Sequence, residues 1–379
     1  AAVVLGGAAA LAALPSVAQE TQRIEITGSA IKRVDAEGAL PVTIIRREQI
    51  ERSGATSVTD LIQRLPGLQG ATSEAASVGG GGGGFAGASI HNIGETRTLV
   101  LLNGRRLAQF GGQTLTGFGA AIDLNTLPLS AIDRVEVLTD GASALYGSDA
   151  IAGVVNFITR RNTQEGNISA GISNPRGKGA DEVRVGLSKG FGDLEKNGFN
   201  AFLAFSADKR KPLNAVDREV SKSGVINFDA NGQRYQAFLG SPSGIPGNVL
   251  DDDGDIVSPY FLANGSCRAG NVASFDPSTG KTACFFDFVA QLEIFPERKR
   301  QNVMGSFDVR LGANHTLFGD VLLSKNDSTG IIAPVPGSVS IPLTSPLYAQ
   351  YLTPVSGIGG STFTQDTVAF YRVADLGRR

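Results

Sequence analysis

Beyond residue 161 the sequence alternates. Ile168, Ala170 and Ile172 share one side of an extended segment while Ser169, Gly171 and Ser173 share the other. Val183, Val185 and Leu187 are likewise opposed by Glu182, Arg184 and Ser188, and Phe199, Ala201, Leu203 and Phe205 continue the period. The pattern returns in Val303, Gly305, Phe307, Val309 and Leu311, set against Met304, Ser306, Asp308 and Arg310, and then in Leu317, Val321 and Leu323. A period of two predicts strands with one apolar and one polar face. Each run is roughly nine to eleven residues, which is what a tilted strand needs to cross a bilayer with its polar side on a wet lumen. A soluble β-sandwich gives the same alternation locally, so periodicity leaves both readings open.

Upstream the texture is mixed. Val42–Ile45 predicts a strand, Arg47–Arg52 a helical turn, and Thr56–Asp60 the entry to a second helix whose Leu61, Ile62 and Leu65 form an apolar stripe ended by Pro66 and Gly67. Thr98–Leu102 predicts a buried strand, followed by the tight-turn pair Asn103-Gly104 and by Arg105-Arg106. Arg134–Leu138 alternates as a half-buried strand. Gly153–Ile158 is apolar on both faces except at Asn156, so it belongs deeper. Between these two, Asp140 is placed to cap a short helix over Ala142–Tyr146, and Gly147 to end it.

Composition changes the picture in one direction. The chain of 379 residues has 49 Gly, 20 Phe, 2 Cys, 1 Met and no Trp, and only 18% of it is charged. Alternating faces and glycine-rich turns give membrane barrels such a profile. A formal charge of -2 gives no support for a nucleic-acid partner, which calls for a basic face. After the first twenty residues no apolar run reaches the roughly 18 residues of a helical membrane span. Residues 1–18 (AAVVLGGAAALAALPSVA) look like the core and cleavage region of a secretory signal, with Ser16 and Ala18 small before a cut ahead of Gln19. A mature N-terminal helix is the alternative. Residues 20–33 are polar around a β-prone core in which Ile24 and Ile26 share a face, suited to joining another protein's sheet edge or to serving as a plain linker.

Export to an oxidising compartment makes a disulfide the expected fate of Cys267 and Cys284. They lie in a long insertion, residues 211–300, that also holds the acidic run Asp251–Asp255. That run lacks the spacing and distal Glu of a calcium loop, so an acidic turn is the leading reading and a calcium site the lesser one. No other metal site and no cofactor is expected, because the two histidines, His91 and His315, stand apart from the cysteines and from each other. The six glycines Gly79–Gly84 are uninterrupted and no Lys-bearing helix follows, unlike a phosphate loop. They read as a flexible loop whose tip carries Phe85. A second glycine-rich loop over 109–121 carries Phe110, Gln113, Thr114 and Phe118, which suit a polar ligand with apolar faces. No nucleophile, base and orienting group fall into a catalytic set, so an enzyme is not expected.

Four ordered segments carry a family resemblance: VTIIRREQIERSGATSVTDLIQRLPGLQG at 42–70, RTLVLLNGRRL at 97–107, IDLNTLP at 122–128 and AIDRVEVLTDGASALYGSDAIAGVVNFITRR at 131–161. They resemble the plug domain of TonB-dependent outer-membrane receptors. The resemblance implies a fold, an α+β plug over 41–161 followed by an antiparallel transmembrane β-barrel from 162 to 379, with 211–300 as a long extracellular loop. The family's barrel has about 22 strands. Room for roughly six to eight, at roughly ten residues each, makes an incomplete barrel the expectation here.

The resemblance also implies partners. Within a periplasmic tail over 19–40, Arg23, Ile24, Glu25, Ile26, Thr27, Gly28 and Ser29 correspond to the TonB box that the energy transducer grips by strand addition. The glycine-rich loops would face outward and meet a small-molecule substrate such as a ferric siderophore, cobalamin, haem or an oligosaccharide, while the strands face outer-membrane lipid. The implied function is a receptor that imports a scarce solute using the inner-membrane proton gradient, and a passive binding or adhesion protein is the alternative. Two departures stand out. Family plugs usually carry arginines where this chain has His91 and Thr139, and those arginines pair with acids on the barrel wall. The usual charge network is therefore in doubt, with Arg97, Arg105 and Arg106 as candidate replacements.

Overall fold

Two five-stranded β-sheets of unlike character dominate the structure, a computed structural model that describes residues 42–75, 84–111, 121–139, 142–312 and 314–373. The first sheet takes up β1 (Val42–Arg46), β2 (Thr98–Leu102), β3 (Arg105–Arg106), β4 (Ile132–Leu138) and β5 (Gly153–Thr159) in the order β1-β4-β5-β2-β3. Strand β5 runs antiparallel to β4 and parallel to β2, which explains why both of its faces are apolar. Residues Val100, Leu102, Val135, Val137, Val155 and Phe157 pack on one side with Ile50, Leu61 and Ile62 of α1 (Arg47–Arg52) and α2 (Val58–Gln63). Leu99, Leu101, Leu138 and Val154 pack on the other with Ala142 and Ala150, beside α3 (Ser143–Tyr146).

The polar exceptions in this sheet are paired. Asn156, buried in β5, accepts from the backbone N–H of Gly104 at 2.9 Å and so fixes the turn between β2 and β3. Asn103 in the same turn exchanges hydrogen bonds with Thr159 at 2.9 Å. Glu136, fully enclosed, accepts from Arg134 Nε at 2.9 Å. Helix α2 begins on Ser57, whose hydroxyl accepts from Asp60 N–H, within the predicted entry. Asp140 lies outside the described residues.

The second sheet is an antiparallel meander of β6 (Gly166–Ser173), β7 (Glu182–Asp193), β8 (Phe199–Arg210), β9 (Glu297–Arg310) and β10 (Thr316–Thr329), paired in chain order. The alternation has the expected faces. Ile168, Ile172, Val183, Leu203, Val321 and Leu323 are exposed on one face, while Asp208, Arg298, Arg300, Asn302 and Ser306 turn toward the plug side. Four of the strands are longer than expected, at 12, 12, 14 and 14 residues. The apolar alternation stops where Lys209, Lys299 and Lys325 occupy the apolar face, yet the backbone ladder continues past it. Fourteen residues at about 3.3 Å each, tilted by roughly 40°, rise about 35 Å, slightly more than the roughly 30 Å hydrocarbon core.

Room for more wall strands is used otherwise. Residues 336–372 fold onto the long insertion, forming a four-stranded sheet in which Thr367–Arg372 lies between Asn248–Leu250 and Pro336–Ile341. The wall therefore has five strands among the described residues, short of the six to eight expected. The insertion is ordered, and the wall resumes at Glu297. Cys267 and Cys284 are joined in a disulfide, with Cα atoms 5.6 Å apart, tying the hairpin Asn271–Asp276/Lys281–Phe286.

Candidate functional site: the plug-to-wall interface

The plug core does not end at the plug. Phe202, Ala204 and Met304 of the wall belong to the same buried cluster as Ile62, Val135 and Phe157. Each stands at a lumen-facing register position that alternation alone marks as wet. Met304 is 0% exposed, so a face that begins and ends polar has a dry waist where the plug presses on it.

Toward the loop end of the strands the contact becomes ionic. Arg298 Nη1 donates to both carboxylate oxygens of plug residue Glu74, at 2.5 and 2.8 Å, and Arg210 Nη2 donates to one of them. Arg300 comes within 3.8 Å of the same carboxylate. Wall acids complete the network: Asp208 accepts from Arg298 Nε at 2.8 Å and from Arg300 Nε at 2.7 Å, and Glu182 lies 3.4 Å from Arg298. The side chains of Glu74 and Arg298 are each 6% exposed. Burial pushes the Glu74 carboxyl up, and the charges of Arg298, Arg210 and Arg300 outweigh that, so it sits below the ordinary carboxylate range.

A second plug segment docks beside the first. Asp123 accepts from the N–H groups of Asn125 at 3.1 Å and Ala86 at 3.2 Å, shaping the short turn Leu124–Thr126. Burial nevertheless raises its carboxyl above the usual range. The turn presents Asn125 to the wall, where its side-chain oxygen accepts from Arg300 at 2.6 Å and its carbonyl from Asn302 at 3.2 Å. The IDLNTLP segment thus has a physical role that its sequence gave no means of assigning.

At the opposite, short-turn end, Arg161 bridges Asp308 at 2.9 Å and Asp320 at 2.6 Å. Arg105 and Arg161 both lie over the ring of Phe318, at 5.1 and 5.8 Å.

A charge network between plug and wall is therefore present without arginine at positions 91 and 139. His91 is exposed in a left-handed conformation, φ 53°. Of the three candidate replacements, Arg97 donates to the Ile93 carbonyl and Arg106 pairs with Asp149 inside the plug. Only Arg105 meets the wall, through a ring. At the loop end the polarity is the reverse of the expected one, with the acid on the plug and the guanidinium groups on the wall. Pairing decides this, and pairing was not visible from Glu74 alone in a low-complexity stretch.

The other predicted site residues fall as follows. Phe85 is not at an exposed loop tip as expected: it is 2% exposed and packs on Phe110 with ring centres 5.3 Å apart. Gln113, Thr114, Phe118 and Arg23–Ser29 lie outside the described residues, as does the segment 1–18. The acidic run encloses a cation supplied by the chain itself. Lys281 Nζ sits 2.6 Å from Asp251, 2.8 Å from Asp253 and 2.8 Å from Asp255, the three carboxylates that would otherwise be closest to a metal site. Burial pushes the ammonium pKa down and the three carboxylates more than reverse this, so it lies above the ordinary lysine range. In the same loop layer a cavity of about 610 Å³ lies over the four-stranded sheet between the helices Pro259–Asn264 and Pro346–Tyr351. No charged side chain lines it.

Residues 35–154 match the family model for the TonB-dependent receptor plug domain. A variant of the ferric enterobactin receptor PfeA from Pseudomonas aeruginosa is 19% identical with a TM-score of 0.49, over 76% of this chain and 33% of that one. The ferric citrate transporter FecA, unliganded, is 17% identical with a TM-score of 0.41, over 80% and 42%. The siderophore receptor PirA from Acinetobacter baumannii is 17% identical with a TM-score of 0.39, over 79% and 47%. This chain spans between a third and a half of the length of these structures. The chain thus carries a TonB-dependent receptor plug domain over residues 35–154, followed by the antiparallel strands of an incomplete barrel.

Proposed function

We propose that this protein is an outer-membrane receptor and gated transporter for a scarce small solute, driven by the inner-membrane proton gradient through TonB. The observation that carries the proposal is the plug held against the inner face of the wall by a buried ionic network, while the outer face of the same strands is exposed and apolar. A wall of this kind suits lipid on one side and a stoppered lumen on the other. The long insertion then lies outside the cell and the Arg161 end toward the periplasm. The loop layer, with its uncharged cavity, is suited to first contact with solute. The three similar structures are named for ferric enterobactin, ferric citrate and a siderophore, and ferric siderophores are the first class to assay here.

On this reading the segment Arg23–Ser29 is gripped by the periplasmic domain of TonB, and residues 1–18 direct export. Pull-down with a purified TonB C-terminal domain tests the grip. Replacing Ile24 and Ile26 with proline abolishes capture if strand addition is the mode, and undiminished capture refutes it. Solute uptake that persists in a strain lacking TonB would favour a passive binding protein instead.

A further inference from the structure

The guanidinium groups facing Glu74 are built to hold an oxyanion, and the plug supplies one of its own. We infer that Arg210, Arg298 and Arg300 form an anion site which Glu74 occupies in this state. A carboxylate-bearing group of the incoming solute takes its place and thereby frees the plug at its loop end. The inference rests on the receptor reading above and adds the chemistry of the solute.

Three observations carry it. First, among the groups in mutual ionic contact the charges balance only with Glu74 in place, three guanidinium groups against Glu74, Asp208 and Glu182. Departure of Glu74 leaves one uncompensated positive charge among largely buried side chains, so release without a replacing anion is disfavoured. Second, only one of the three acids is exchangeable. Asp208 and Glu182 stand on β8 and β7, fixed in the strand ladder, whereas Glu74 lies outside regular sheet on the plug. Its segment is tied down by Thr72, whose N–H donates to Glu95 at 2.7 Å and whose carbonyl accepts from Gly87 at 3.0 Å. Exchange at the arginines therefore moves the plug and leaves the wall unchanged. Third, there is donor capacity and space for a larger group. Arg210 Nε is buried with no acceptor among the described residues. A cavity of about 390 Å³ between plug and wall is lined by Glu182, Asp208 and Arg300 of the same cluster, with Arg184, Ser206 and Asn302. A planar carboxylate entering from this cavity meets Arg300 first, and in the place of Glu74 it would match the bidentate geometry that the Arg298 and Arg210 forks favour.

The test uses the full-length receptor in detergent, with tricarballylate as the probe and its uncharged trimethyl ester as the control. Calorimetric titration should show Glu74→Gln binding tricarballylate at least tenfold more tightly than the parent, because no resident carboxylate has to leave. Arg298→Gln should lose the binding, and the ester should not bind to either. In the parent, saturating tricarballylate should raise amide hydrogen exchange over residues 71–75 at least tenfold. Equal affinity in parent and Glu74→Gln, or equal binding of the ester, overturns the inference. Should Arg298→Gln fail to fold, Arg298→Lys, which keeps the charge and loses the fork, must weaken binding or the inference falls. Failure of the receptor reading has a separate signature, TonB-independent uptake with the anion exchange intact.

Discussion

Gly153 opens the central plug strand at φ +139°, a conformation that side chains resist. A Cβ there would lie 2.1 Å from the carbonyl oxygen of Leu138 and 2.7 Å from Ile90 Cδ1. The Leu138 carbonyl cannot yield without breaking β4 from β5. Gly153→Ala should therefore destabilise the plug by about 3 kcal/mol or more, read as an earlier loss of plug protection in hydrogen exchange while the wall strands keep theirs. Lys281 presents the opposite case, a residue whose importance comes from chemistry that its neighbours in sequence do not show. It neutralises Asp251, whose side chain is 0% exposed, across 30 residues of chain. Lys281→Met should cost the loop layer about 2–3 kcal/mol, measured as faster proteolysis within 244–286, and Lys281→Arg should recover part of it. With its pKa raised in the folded loop, the lysine contributes fully below the ordinary lysine range, and the contribution fades only as pH rises through the higher folded value.

At the level of elements, what was legible in the sequence was what depends on period and turn chemistry. Arg47–Arg52 and Thr98–Leu102 form as predicted to the residue, because a capping Gln49 side chain and an Asn-Gly turn mark their ends locally. The lipid-facing set was legible too, since a strand whose register slipped by one residue would turn every apolar side chain inward. From that face comes a direct expectation. Leu203→Arg, on the exposed side of β8 and paired with Gly305, should cost about 2–4 kcal/mol near the bilayer midplane. Reversible folding into lipid vesicles measures it, and a neutral outcome would mean this face does not meet lipid. Elements set by distant pairing were not legible. Residues 336–372 carry strand-like sequence, and nothing local distinguishes a wall strand from one that joins Asn248–Leu250 far upstream. Likewise the dry waist at Phe202 and Met304 exists only because the plug is there to cover it.

For the molecule as a whole, the two ends of the plug-to-wall contact do different work. The Arg161 end joins residues just past the covalent junction of plug and wall, so Asp308 and Asp320 hold it whatever the plug does. The Glu74 and Asn125 end lies far along the chain from that junction and is held by non-covalent contacts alone. Opening should begin there and hinge at the Arg161 end. A cross-link placed at the loop end tests the order of events. Cysteines at Asn125 and Asn302, which touch across the interface at 3.2 Å, joined by a short dithiol-cleavable linker, should leave solute binding to the loop layer within twofold of the uncross-linked variant and reduce uptake at least tenfold. Cleaving the linker should restore uptake, since the double variant itself is the control for the lost Arg300 hydrogen bond. If linked receptor still transports, solute passes without separating plug from wall at this end, and the network described here would be a folding contact instead of a gate.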